Sequence, residues 1–346
     1  MMNLREGFRR LASAFILAFL SAVLAQGASN IAGSVVNQSR GEPAAGDEVV
    51  LVRLDQGIEQ ARVKTDAHGV FSLAVGDSDR SYLVRVYHQG VRYEEQAGVG
   101  DRLLIQVFDT SLSVRDVTGS IEILRAGSNG NLLHVSDMYE VRNESKPPLT
   151  KVGARTFEVY LPVHAKIESV LAASPGKTAM LIAAAAVWGE SGHYVVNFPL
   201  RPGATKFAFN YDLPYDGHAA FRTRHRYPLE QFAIMIPPTM KFSSPSAAFQ
   251  NLAVDTSRYQ VRAANHLPAG EGPRFEVSGM GELPSLRNRP SPPALPRPLS
   301  PSDRALGQTS MPAPPPSESL ALGAVTSFLL AVCAVLLWRA RRGRIV

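Results

Sequence analysis

The sequence predicts an all-β chain on a membrane anchor: two tandem β-sandwich-like domains, a Pro-rich stalk and a single C-terminal transmembrane helix. Three observations predict it. Between the ends, short apolar or alternating runs are separated by Gly, Pro, Asn and Asp, with no long stretch of helical period. Residues 282–318 hold eleven of the 25 prolines and few large apolar side chains, so they cannot bury a core. Residues 320–338 form a run of 19 without a charge, followed at once by Arg339, Arg341, Arg342 and Arg344.

Residues 1–25 read as a signal peptide. Arg5, Arg9 and Arg10 precede a short apolar stretch that ends in Val23-Leu24-Ala25, with small side chains at the cleavage positions. A retained N-terminal anchor is the rival, but the apolar stretch is short for a span. Five strands are expected next, over 31–36, 48–54, 70–75, 82–88 and 103–108. Turn chemistry separates them at 41–46, 66–69, 76–79 and 98–101.

Within this first domain, Gly33-Ser34-Val35-Val36 is followed by Gly41-Glu42-Pro43-Ala44-Ala45-Gly46 and then by Thr65-Asp66-Ala67-His68-Gly69-Val70-Phe71. Residues 30–112 thereby resemble the carboxypeptidase regulatory-like (transthyretin-like) domain, whose signature is the Thr-Asp-x-x-Gly-x-Phe turn. The resemblance implies a seven-stranded sandwich used as an adhesive, spacer or accessory module, and it implies no hydrolysis. In physical terms Asp66 and Gly69 close a hairpin and Phe71 is buried as the next strand starts.

A second β-sandwich-like domain is expected over 118–281, with strands at 120–124, 132–141, 156–161, 167–172, 194–200, 205–211, 232–236 and 274–277. In 205–211 the aromatics Phe207, Phe209 and Tyr211 fall at period two, which predicts a sandwich core layer rather than a ligand platform. Residues 179–188 fit either a short helix or a strand, and their length between turns favours the strand. The Pro-rich linker 282–318 then acts as a tether of at most ~110 Å at ~3.1 Å per residue. Docking of a proline-binding partner is its competing role.

The transmembrane helix is assigned to 319–338, with Leu320, Phe328, Leu329, Leu330 and Trp338 as anchor residues. About 20 apolar residues match the hydrocarbon core of a bilayer. Arg339, Arg341, Arg342 and Arg344 make 339–346 a basic cytoplasmic tail. The expected localisation is the cell (inner) membrane, single-pass, with the N-terminus outside and the bulk in the periplasm or on the outer face.

Charge and cysteine content narrow the function. The net charge is 36 minus 30, or +6, of which residues 1–25 supply +2 and the last eight supply +4. Residues 26–338 sum to zero, which leaves no electrostatic footprint for nucleic acid. Arg222, Arg224, His225 and Arg226, beside Tyr227, alternate with Phe221 and Thr223 and read as a solvated strand face. The one cysteine, Cys333, lies in the expected helix, so the exported part has no disulfide and no thiol chemistry. A bacterial envelope protein fits a disulfide-free exported chain of this size.

The sequence offers no catalytic, cofactor-binding or metal-binding residue. The eight histidines (68, 88, 134, 164, 193, 218, 225, 266) are scattered singly, without His-Glu-x-x-His spacing, so zinc hydrolysis is disfavoured. Pro175-Gly176-Lys177-Thr178 lacks the first glycine of a phosphate loop, having Leu171 in its place. No Gly-x-Ser-x-Gly elbow occurs. Asp212, Asp216 and Glu230 lack the regular spacing of a calcium loop. The expectation is a non-enzymatic, membrane-anchored envelope protein. Its partners would be the lipid bilayer, through one helix, and an envelope protein or glycan that the β-domains bind or position. The alternative is a sensor or accessory subunit of a membrane transport or envelope assembly complex, with the helix making specific contacts around Gly323 and Ala324.

Overall fold

The computed structural model describes residues 30–76, 80–252 and 258–283. The expected signal peptide, anchor residues and arginine tail lie outside the described residues, as do all of the expected linker beyond Leu283 and most of the expected 76–79 turn. Among the described residues every regular element is a strand, and no helix is long and apolar enough to cross a membrane. The chain divides into two compact units between Thr110 and Ser111.

The first unit stacks two four-stranded sheets. In one, Asn30–Asn37 pairs antiparallel with Val70–Ala74 and the two-residue Glu42–Pro43, and parallel with Arg102–Val107. The other runs Ile58–Lys64, Glu48–Arg53, Tyr82–His88, Val91–Ala97, all antiparallel. Alternation sets the faces: Tyr82, Val84 and Val86 point inward and are buried, as are Leu51, Phe71 and Leu73. Seven strands here have five or more residues.

The Asp66 turn shows how sequence fixes register. Asp66 Oδ1 accepts hydrogen bonds from the amides of His68 and Val70 at 2.9 and 2.8 Å, an Asx turn that aims Phe71 into the core. Gly69 has φ +72°, and a Cβ there would collide with the Val35 carbonyl oxygen. No larger residue fits that position without strain.

The second unit is built on an eight-stranded sheet. Its order is Met180–Ile182, Lys166–Ala173, Gly203–Pro214, Leu132–Asn143, Val117–Asn129, Leu229–Ile236, Gln260–Leu267, Gln250–Leu252. Only the pair Val117–Asn129 with Leu229–Ile236 is parallel. Two three-stranded sheets pack on its inner face: Phe157–Tyr160, His193–Val196, Ala184–Ala186, and His218–His225, Gly270–Ser278, Lys241–Ser243. Phe207, Phe209 and Tyr211 are all buried between the layers, and Phe157 stacks on Phe207 with centroids 4.5 Å apart.

Several elements differ from the sequence expectation. Ile58–Lys64, Val91–Ala97 and Gln260–Leu267 are strands that the hydrophobic pattern did not mark as such. Residues 120–124 are the middle of a 13-residue strand. Residues 179–188 form two short strands, Met180–Ile182 and Ala184–Ala186, with the chain passing from one sheet to another at Ala183.

Candidate functional site

The second unit buries a polar cluster on the inner face of its large sheet, and the strand register explains how. Glu122 stands opposite Tyr139, and Asp137 opposite Phe209, with Tyr211 one pair further along. Glu122, Asp137 and Tyr211 therefore run diagonally across three neighbouring strands, a spacing of roughly 5–8 Å per step. From the covering sheet His225 reaches down, its Nδ1 2.9 Å from Glu122 Oε2. Tyr139 donates its hydroxyl proton to Asp137 Oδ2 at 2.6 Å.

Glu122, Asp137 and His225 are each at most 5% exposed, which makes their charges costly. Burial, reinforced by the Glu122 carboxylate, pushes the Asp137 carboxyl well above its ordinary range, against the opposing hydrogen bond from Tyr139. The Tyr139 and Tyr211 phenols are likewise pushed up, first by burial and then by the Asp137 charge. Asp137 Oδ1, Tyr211 OH and His225 Nε2 have no hydrogen-bond partner among the described residues. Gly272 lies against the imidazole, where a Cβ would overlap both His225 and Thr223.

The period of the strand corrects the reading of the basic cluster. Arg222, Arg224 and Arg226 do point to solvent, but Phe221 and His225 share the opposite face, so His225 is buried rather than solvated. Arg224 covers the Tyr160 ring at 4.3 Å, and Tyr160 stacks on His193. His193 is held at both ring nitrogens, 2.9 Å from Glu158 and from Glu190.

Chemistry in this cluster is walled in. The hollow beside Glu122, Tyr139 and His225 measures about 20 Å³, room for one water at most. A wider concavity of about 600 Å³, bounded by Ser128, Pro237, Thr239, Arg258 and Glu282, gathers no acid–base pair with a nucleophile. Among the described residues no three His, Cys, Asp or Glu side chains converge as metal ligands. Asp212 is engaged by His134 at 2.6 Å, while Asp216 and Glu230 are exposed.

In the first unit His88, Asp47, Asp109 and Arg40 are paired with one another. His88 Nδ1 lies 2.8 Å from Asp47, whose hydrogen bond raises the imidazole pKa against the effect of burial. Burial pushes the Asp109 carboxyl up, but hydrogen bonds from Arg40, Asn37 and His88 outweigh it and bring the value down to about 2. In all, five of the eight histidines pair with carboxylates: His88, His134, His193, His218 and His225.

The most exposed apolar feature of the second unit is an edge. Met180–Ile182 ends the large sheet and Ala184–Ala186 ends a small one, so 180–188 borders both layers of the sandwich. Its nine residues carry no charge. Leu181 is 58% exposed and Trp188 fully so.

No protein-family model matches the chain, and no curated protein matches it. Among solved structures it is similar to a protein described as a candidate protease from Parabacteroides distasonis, at 12% identity and a TM-score of 0.29 over 48% of this chain and 41% of that one. It is similar also to an M1 zinc metallopeptidase from Deinococcus radiodurans, at 11% identity and a TM-score of 0.26 over 49% and 43%. The chain spans less than half the length of either.

Proposed function

We propose that the chain is a non-enzymatic envelope protein, exported by residues 1–25 and held in the inner membrane by residues 319–338. Its β-units would bind or position another molecule of the envelope, protein or glycan. One observation carries this reading: the edge 180–188 exposes Leu181 and Trp188 without any charge, whereas the polar cluster beneath the sheet has no room for a substrate. Large apolar side chains kept in the open beside unpaired strand edges mark docking surfaces. Tethering to the bilayer raises the local concentration of both partners, so that modest contacts suffice. The first unit, read as a carboxypeptidase regulatory-like domain on its seven strands and Asp66 turn, would serve as a spacer or adhesive module.

A photo-crosslinking residue placed at position 181 or 188 in the native membrane tests this. A discrete adduct is expected from these positions and none from position 62 on the charged edge Ile58–Lys64. Equal labelling from all three would contradict the reading. The second reading, a sensor or accessory subunit, draws on Asp137, a buried acid kept beside Glu122 at a cost to stability. Exchange of residues 320–338 for an unrelated anchor separates the two: a tethered binder keeps its adduct, a subunit loses its assembly.

A further inference from the structure

We propose that the start of the Pro-rich segment, residues 284–289, lies extended across the outer face of the eight-stranded sheet, with Leu286 on that face's apolar cluster and a backbone carbonyl of the segment on Arg125. The free stalk then begins beyond residue 289. The occupant is this chain itself, and the inference is independent of the docking role proposed for 180–188.

The face needs a cover. In Val117–Asn129 the side chains of Leu124 and Ala126 face the two three-stranded sheets, so Ile121, Ile123 and Arg125 point the other way. Met138, Ala233, Met235 and Val261 join them from neighbouring strands, and the apolar members of this group are at most 5% exposed. An apolar sheet face is stable only against another layer. Among the described residues, the partly buried apolar side chains packed on this cluster are Leu171, Leu252 and Leu283. The first two belong to strands of the sheet itself, so only Leu283 arrives from outside it.

The exit of the chain selects the occupant. Ser128 donates its amide to the Gly281 carbonyl at 2.7 Å, and its Oγ accepts the Gly281 amide at 3.0 Å. Two residues on, Leu283 lies over Gly127, where a Cβ would press on the Leu283 amide nitrogen. The path from Gly281 to Leu283 thus runs from Ser128 to Gly127 and heads for Arg125. Pro284 keeps Leu283 extended, because its ring disfavours a helical conformation in the residue before it. In polyproline geometry, with three residues per turn and a rise of ~3.1 Å, Leu286 returns to the face of Leu283 about 9 Å further on. Along the strand beneath, Arg125 lies ~7 Å and Ile123 ~13 Å from Gly127, which sets Leu286 between them. A polyproline segment makes no internal hydrogen bonds, so its carbonyls are free to accept. Arg125 offers the matching donor: it is 7% exposed, and its Nε–H has no hydrogen-bond partner among the described residues. A buried donor left unpaired is costly, and the carbonyl of residue 284 or 285 passing over Arg125 removes that cost.

Position 286 gives the test. In full-length chains lacking Cys333 (Cys333→Ser), held in native membranes, Leu286→Cys is expected to react with a maleimide at least ~10-fold more slowly than Ala305→Cys. Arg287→Cys, a third of a turn away, should approach the rate of Ala305→Cys. Arg125→Met removes the donor and should speed labelling at 286 several-fold, with limited proteolysis of each variant confirming its fold. In the otherwise unaltered chain, a photo-crosslinking residue at 286 should form an adduct within the same chain, mapped by mass spectrometry to Val117–Asn129 or Leu229–Ile236.

Labelling at 286 as fast as at 305 would overturn the inference. So would an adduct from 286 on a second copy or on a different envelope molecule in place of one within its own chain. Neither result touches the crosslinks from positions 181 and 188, which test the proposed function separately.

Discussion

The two units differ in how completely their buried polar groups are satisfied. In the first, His88, Asp47, Asp109, Asn37 and Arg40 satisfy one another. Its outer strands are charged. In the second, Glu122, Asp137 and His225 lie inside the sandwich, and the edge 180–188 is bare of charge. Every buried side-chain polar atom without a partner among the described residues belongs to this second unit. Departures from the rules of stable packing concentrate where a protein works. Under the proposed function, the first unit would serve as support and the second would carry the docking surface.

The largest expected effect comes from breaking the buried pair. Glu122→Ala leaves the buried His225 imidazole without its hydrogen-bond partner among the described residues and should lower the stability of the second unit by about 3 kcal/mol, read by chemical denaturation. A loss under 1 kcal/mol would mean that the cluster is far wetter than its burial implies.

Next comes a pair of substitutions with opposite signs. The folded-state pKa of Asp137 lies above its ordinary 3.8, so the folded chain holds an extra proton and loses stability as pH rises between those two values. Asp137→Asn removes that penalty and keeps an acceptor for Tyr139. It should raise stability at pH 7 by roughly 1–3 kcal/mol and flatten the pH profile of the second unit. Asp109, lowered to about 2, contributes stability that is present above its ordinary 3.8 and lost as pH falls towards 2. Asp109→Asn should therefore destabilise the first unit at pH 7, by about 1–2 kcal/mol. Two changes of the same sign would erase the contrast between the units.

A smaller effect belongs to His88. Its raised pKa means that the Asp47 contact contributes fully below the ordinary value of 6.5 and fades as pH rises through the folded value. The first unit should lose about 1 kcal/mol over that interval, and His88→Gln should abolish the slope. Melting temperatures across pH 6 to 9 would read it.

The limits of the sequence follow from the same physics. Runs such as 82–88 and 205–211 were readable because one face is apolar and the other is not. Ile58–Lys64 and Val91–Ala97 escaped because edge strands facing solvent replace apolar residues with Glu, Arg, Lys and Gln. His225 looked solvated because three arginines surround it, although period two puts it on the face of Phe221. The buried acid did leave a trace: Asp137 occupies the same face as Leu133, Val135, Tyr139 and Val141, an inward position by alternation alone. Its partnership with Glu122 could not be read, since that depends on the pairing of two strands and on the register between them.

The claim at the centre is the proposal that residues 180–188 are a docking surface covered by another molecule of the envelope. Amide hydrogen exchange of the full chain, in native membranes and in dilute detergent, measures it directly. Because successive amides of a strand point to opposite sides, the account expects the edge-facing amide of each pair, Leu181/Ile182 and Ala185/Ala186, to exchange at least ~10-fold more slowly in the membrane, while Glu59 and Arg62 on the charged edge of the first unit stay unchanged. Equal exchange of 180–186 in both settings would contradict it.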